Sequence, residues 1–337
     1  MFRLKRRHRE AEDFDFDGST EALFDEIQAL TERNRDAPDP ETERRVLRLR
    51  HLAGIRLLDD APADPAFAEP DAARLPESDG LPDVPAAELT PELLRAGILR
   101  DGCLLVRGLV PREAAEALAA GIDRAFRERE QGEAAAPGWY EEFEPHPRFG
   151  ELTGRQWIQD GGGVLAIDSP TLSFEMVELF QSAGVPRLAA GYLGEPALIS
   201  VQKTTLRKAE PSVPGAWHQD GMFMGPVRSL NLWLALSHCG DEAPGLDIVP
   251  RRLDAFAATG TDEAMLDYQV SQRAAEEAAG GVAIVRPVFE PGDAVFFDEM
   301  CLHQTASEPS MPNPRYAIEN WFFGGSAFPP EYFPFAV

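Results

Sequence analysis

The chain has 337 residues, 44% hydrophobic and 9% aromatic, enough to bury a substantial core, which excludes global disorder and a small disulfide-stapled fold. Its formal charge of −25, from 32 Lys and Arg against 57 Asp and Glu, repels phosphate backbones and anionic bilayers at long range, so neither nucleic acid nor membrane is an expected partner. No apolar run reaches the roughly 18 residues of a membrane span, and the basic start Arg3 to Arg9 runs into acidic sequence instead of an apolar signal core; a cytoplasmic protein is expected.

In chain order, residues 1–58 carry two amphipathic helical patterns, with Leu23, Ile27 and Leu30 on one face and Val46, Leu49 and Leu52 on another. Residues 59–92 hold seven prolines, ten acidic residues and a single arginine, Arg74. That composition is short of core-forming residues and predicts an extended linker or surface wrap. A compact unit is expected from about residue 93, just inside a helix capped by Thr90 with Pro91 at its first position. Cys103–Val106 reads as a buried strand, followed from Pro111 by a helix with Ala115, Leu118, Ile122 and Phe126 on one face. Gly161–Gly163 lacks the spacing and lysine of a phosphate loop and is read as a turn.

From about residue 197 short segments rich in β-formers alternate with turns: Leu198–Leu206, Leu230–Leu236, Val282–Phe289, Ala294–Phe297 and Tyr316–Phe323. With no internal repeat and no strand–helix alternation, the fold class is mostly β with flanking helices (α+β), built on a jelly roll or β-sandwich. Cys103, Cys239 and Cys301, odd in number and widely spaced, suggest buried apolar residues and no disulfide framework or zinc site.

The sharpest local feature is Trp217-His218-Gln219-Asp220-Gly221. In an extended segment His218 and Asp220 point to one side and Gln219 to the other, the geometry two ligands of one ion need. His-x-Asp alone is a weak signal, since a hydrogen-bonded surface pair has the same spacing. The chain has only six histidines, however, and His303 follows the strand Ala294–Phe297 within the same β-rich half. Two imidazoles and one carboxylate on neighbouring strands make the facial triad that leaves positions open on Fe(II) for a co-substrate and O2. Arg315 opens another strand; a guanidinium held inside a barrel needs an anion, and its fork suits a carboxylate.

The ordered set His218-x-Asp220, His303 and Arg315, with Asn231–Leu236 and Ala243–Pro250 between them, resembles the phytanoyl-CoA dioxygenase family of Fe(II)/2-oxoglutarate-dependent oxygenases. The likeness runs from about Glu92 to Phe323 and includes the opening Gly102–Val110 and the turn Pro291-Gly292-Asp293. It implies a double-stranded β-helix (cupin-like) domain over 93–337, with His218, Asp220 and His303 on iron and Arg315 on the distal carboxylate of 2-oxoglutarate. It further implies oxidation of a small or medium-sized molecule by O2, with loss of succinate and CO2. Asp220 at the carboxylate position resembles hydroxylating members rather than halogenases.

The same resemblance points to the strand before the motif for co-substrate contacts. By alternation Gln202 and Thr204 share a face there while Lys203 faces away, unless a bulge reverses the parity. Thr305 shares the parity of His303 and is a further co-substrate candidate. Trp157, Gln159, Met222, Phe223, Met224 and Arg228 are candidates to line the substrate pocket, although Met and aromatic residues fill cores by default. Cys301 has the parity of His303 but would make a softer, zinc-like site beside a triad that is already complete. His238 reads as a turn residue, and His8, His51 and His146 as surface or locally bonded. The alternatives are a non-catalytic metal-binding jelly roll and a cupin-like metalloenzyme that uses no keto acid. Monomer and homodimer are both compatible with the sequence.

Overall fold

The computed structural model describes residues 14, 16–78, 80–213, 215–225, 227–261, 264, 267 and 269–337; His8 lies outside them. Nine helices run through the described residues: α1 (Thr20–Asp36), α2 (Pro40–Asp59), α3 (Pro91–Asp101), α4 (Arg112–Gln131), α5 (Arg155–Asp160), α6 (Pro170–Ser182), α7 (Val185–Leu193), α8 (Gly221–Met224) and α9 (Gln272–Ala279). The strands are β1 (Asp83–Pro85), β2 (Cys103–Arg107), β3 (Gly163–Leu165), β4 (Ala197–Ser200), β5 (Thr205–Ala209), β6 (Ser229–Ala235), β7 (Gly245–Ile248), β8 (Ala294–Phe297), β9 (His303–Ala306), β10 (Arg315–Gly324) and β11 (Pro334–Ala336).

The strands build two facing sheets. The larger has the order β1-β2-β8-β6-β10-β4-β11, with β5 also paired to β10 and β3 paired to β5. The smaller joins β7 to β9 and is widened by bridges from His218 to His303 and from Ile248 to Val285. Side chains alternate along a strand, so the ten-residue β10 sends Arg315, Ala317, Glu319, Trp321 and Phe323 to one face and Ile318, Asn320 and Phe322 to the other. Ile318 and Phe322 join Leu206, Leu232, Phe180 and Tyr192 in a core beneath the helices, whereas Trp321 and Phe323 join Trp233, Phe297, Leu246 and Ile248 between the sheets. The large sheet is thus covered by helices on one face and by the small sheet on the other, the layering of a double-stranded β-helix.

Local chemistry accounts for the element ends. Ser19, Asp39 and Thr90 each accept a backbone hydrogen bond at the start of α1, α2 and α3, and Pro40 and Pro91 occupy the first turns of α2 and α3. Gly102 ends α3 with φ 83°, where a Cβ would meet the Arg251 carbonyl at 2.9 Å. The helical faces expected at Leu23, Ile27, Leu30, Val46, Leu49 and Leu52 are buried, against Phe174 and Ala336. On α2, Gly54 lets the backbone of Pro334 and Phe335 approach so closely that a Cβ would sit 2.8 Å from it.

Four expectations need correction. The strand foreseen over Leu198–Leu206 is broken by a 3-10 turn at Val201–Lys203. Val282–Phe289 forms no strand; only Val285 and Phe289 make single bridges, to Ile248 and Cys239. The proline-rich stretch is not poor in core residues, since Leu75, Val84 and Leu89 are buried and β1 extends the large sheet parallel to β2. His51 is fully buried: its ring contacts the Pro334 carbonyl at 2.6 Å and accepts the His146 backbone N–H at 3.1 Å, and burial pushes its pKa down to about 4. All three cysteines are buried and free. No helix among the described residues is long and apolar enough to cross a membrane.

Candidate active site

His218, Asp220 and His303 converge on the small-sheet side of the barrel, each with a ligand-type atom within 4.8 Å of the others. His218 and His303 are bridged backbone to backbone, at 3.0 and 3.1 Å, which brings their rings to 4.5 Å. The Nδ1 of His218 faces the Ala216 carbonyl at 2.7 Å and that of His303 the Cys301 carbonyl at 3.1 Å. An Nδ1–H donated to a carbonyl leaves the Nε2 lone pair free on both rings. Those two Nε2 atoms lie 3.8 and 3.7 Å from the two oxygens of Asp220, too far for hydrogen bonds. The three groups are held at a spacing that a cation between them could fill.

Gln219 points away as the alternation requires, and its burial fixes the segment. It is 0% exposed, donates to the Met300 carbonyl at 2.8 Å and accepts the Ala257 N–H at 2.7 Å. Next to it Gly221 leaves room for Phe256, whose ring a Cβ would meet at 2.6 Å. Replacing Gln219 by Leu orphans both backbone groups and should cost about 2–3 kcal/mol in urea unfolding; a loss below about 0.5 kcal/mol would show that water takes over both bonds.

Near the triad, around Glu319, several buried polar atoms lack hydrogen-bond partners among the described residues. Arg315 is 0% exposed, and among the described residues none of its three guanidinium nitrogens finds a hydrogen-bond partner. It stacks 5.1 Å from the Trp233 ring, whose Nε1 is likewise buried and unbonded, as is the Asn231 Oδ1. Burial pushes the Arg315 pKa down, and Glu319, 3.9 Å away, acts in the opposite sense. Glu319 in turn touches Thr205 Oγ1 and Arg207, each at 3.3 Å. Burial works to raise its pKa, but Arg207 and Arg315 outweigh that and hold the carboxyl below its ordinary range. Unbonded buried polar groups are rare in proteins, and this donor set fits a carboxylate reaching Arg315 from the triad.

Sequence reasoning placed the triad residues and Arg315 here, but not all of their neighbours. The 3-10 turn reverses the parity it assumed. Thr204 lies under the helices, bonded to the Ser200 carbonyl at 2.8 Å and Asn320 at 3.0 Å, and the Gln202 side chain donates to Thr153 Oγ1 at 3.5 Å. Lys203 and Thr205 face the site instead. Thr305 lies half-buried on β9, paired with Leu246 of β7. Phe223 stands 5.9 Å from the His218 ring and Met222 is exposed beside it, whereas Met224 is core. Arg228 is exposed and stacks on Phe67 at 4.2 Å rather than entering the site. Gln159 donates to the Tyr140 hydroxyl at 3.2 Å, and Trp157 is 64% exposed on α5. Glu319, Arg207 and Tyr332 were missed; period-two spacing from Arg315 would have found Glu319.

The chain belongs to the phytanoyl-CoA dioxygenase (PhyH) family, whose model matches residues 98–311. No curated protein matches it. Among solved structures, EctD from S. alaskensis, with 2-oxoglutarate and 5-hydroxyectoine, is similar at 17% identity over 79% of this chain and 86% of that one, with a TM-score of 0.50. AviO1 from Streptomyces viridochromogenes Tue57 is 19% identical over 72% and 98% of the two chains, with a TM-score of 0.46. The epimerase SnoN, in complex with Fe3+, alpha ketoglutarate and nogalamycin RO, is 17% identical over 69% and 83%, also at 0.46.

Proposed function

We propose that the protein is an Fe(II)/2-oxoglutarate-dependent oxygenase that hydroxylates, or otherwise oxidises, a small organic molecule in the cytoplasm. His218, Asp220 and His303 would hold the metal and Arg315 the distal carboxylate of 2-oxoglutarate. The observation that carries this is Arg315: a fully buried guanidinium with no hydrogen bond is costly unless an anion arrives to meet it. A cupin-like metalloenzyme without a keto acid has no use for that group.

Bound there, iron and 2-oxoglutarate would supply O2-dependent oxidation with release of succinate and CO2. The chain's own residues orient and exclude. The Ala216 and Cys301 carbonyls hold both imidazoles with Nε2 inward, and Asp220 offsets half of a divalent charge. Phe297, 4.7 Å from His303, and Trp321 make a dry wall beside it. Residues 93–337 would form the oxygenase domain, with 1–58 as a helical extension and 59–92 as a wrap.

The test is anaerobic titration of the Fe(II)-loaded protein with 2-oxoglutarate. A saturable visible absorption band is expected; iron bound tightly with no band and no retention of the keto acid in dialysis would leave the cupin-like alternative.

A further inference from the structure

Two polar side chains that feel Asp220 pack on each other and make no hydrogen bond to another described residue. Lys203 closes the 3-10 turn between β4 and β5, and its Nζ lies 5.5 Å from the centroid of the Tyr332 ring. Tyr332 is 3% exposed as a residue, but both its hydroxyl and the Lys203 amine reach solvent, where a ligand could meet them. Burial lowers the lysine's pKa, and of the carboxylates acting against this Asp220 is the strongest, ahead of Glu331 and Glu319. The Tyr332 phenol likewise feels Glu331 and Asp220.

This pair is separate from Arg315. Tyr332 packs on Phe323 at 5.7 Å, and Phe323 stands on β10 eight residues beyond Arg315. Both cations feel Glu319, whereas Asp220 and Glu331 act on Lys203 and not on Arg315.

The charges of the site lead to the same place. Asp220 and Glu319 contribute two negative charges, and Lys203, Arg207 and Arg315 three positive ones. A divalent metal and a doubly charged keto acid would cancel, leaving one positive charge with Lys203 as its unpaired bearer; Glu331 is exposed at the rim, where water screens it. A phosphate monoester, carrying nearly two charges at neutral pH, would overshoot that balance. A carboxylate meets it and suits a cation beside a phenol donor.

We propose that Lys203 and Tyr332 anchor a carboxylate on the molecule to be oxidised, so that the substrate is a small organic acid whose remainder passes Asp220 toward His218, Phe223 and Met222. The exposed apolar side chains Phe223 and Met222 suit an apolar remainder. This rests on the oxygenase reading for the metal and keto acid.

The experiment uses the Fe(II)- and 2-oxoglutarate-loaded protein without O2. Probes are small aryl and alkyl carboxylates and their primary amides, observed by paramagnetic broadening of their proton NMR lines. Acids are expected to be preferred about tenfold over amides. Lys203→Gln and Tyr332→Phe should each collapse that preference while leaving the 2-oxoglutarate titration within about twofold of wild type. Acids and amides behaving alike in wild type, including neither broadening, or a preference that survives Lys203→Gln, would overturn the proposal. So would a tenfold weaker 2-oxoglutarate titration in Lys203→Gln, which would assign the lysine to the keto acid. Absence of the absorption band in wild type is a distinct result: it sinks the oxygenase reading and this proposal with it.

Discussion

Replacing Asp220 by Ala is expected to abolish succinate formation and weaken Fe(II) binding by about a thousandfold, while leaving the fold intact. The magnitude follows from what remains: two neutral imidazoles and no anionic ligand, when disturbing only the outer partners of a ligand already costs ~10–100-fold. The fold should tolerate the change because Asp220 makes no hydrogen bond to either histidine, at 3.8 and 3.7 Å, and both rings are held by backbone carbonyls. Thermal unfolding of the metal-free variant should stay within about 1 kcal/mol of wild type. A melt collapsing along with metal affinity would instead make Asp220 a structural residue.

Arg315→Met is expected to move two measurements in opposite directions. Truncating one partner of a buried charge pair costs ~2–5 kcal/mol of binding, about thirtyfold to several thousandfold in 2-oxoglutarate affinity. The ligand-free protein carries the arginine's desolvation without a hydrogen-bonded partner, and Glu319 keeps Arg207 as its ion-pair partner, so an apolar side chain of similar length should give a small net stabilisation, about 1 kcal/mol, below the range seen when whole buried ion pairs are replaced. Stability is read by urea unfolding and affinity by the absorption titration. Loss of stability on substitution, or unchanged 2-oxoglutarate binding, would each contradict the role given to this residue. Arg315→Lys should recover part of the affinity only, because a point charge cannot form the two-pronged contact.

The parts of this site legible in the sequence are those that alternation and residue type determine together. His218 and Asp220 share a face because they stand two apart on an extended segment, and Gln219 turns to the core for the same reason. Arg315 is conspicuous because a strand interior has no ordinary use for a guanidinium. Lys203 and Thr204 fail by the same rule: a 3-10 turn at Val201–Lys203 inserts residues that belong to neither strand and exchanges their faces. Val282–Phe289 has strand composition but no ladder, since its two contacts reach different segments, through Ile248 and Cys239. In the proline-rich stretch composition concealed an edge strand: β1 is three residues long and ends in proline, which an edge tolerates. Arg228 looked inward by its place beside the motif, but Phe67 from that same stretch draws it to the surface.

The contact between α2 and β11 also sets the order in which the molecule can be completed. Arg50 reaches the Ala336 carbonyl and His51 that of Pro334, across 286 and 283 residues of chain, and Gly54 packs on the Pro334–Phe335 backbone. The side of α2 that carries Arg50, His51 and Gly54 therefore waits for β11, although α1 and Phe174 of α6 cover the rest of its apolar face earlier. During synthesis that side, around Gly54, stays open until nearly the whole barrel has left the ribosome, a surface that benefits from chaperone cover. Joining these ends is a late closing step, slow to be found but modest in added loop entropy, because that cost grows only logarithmically with length.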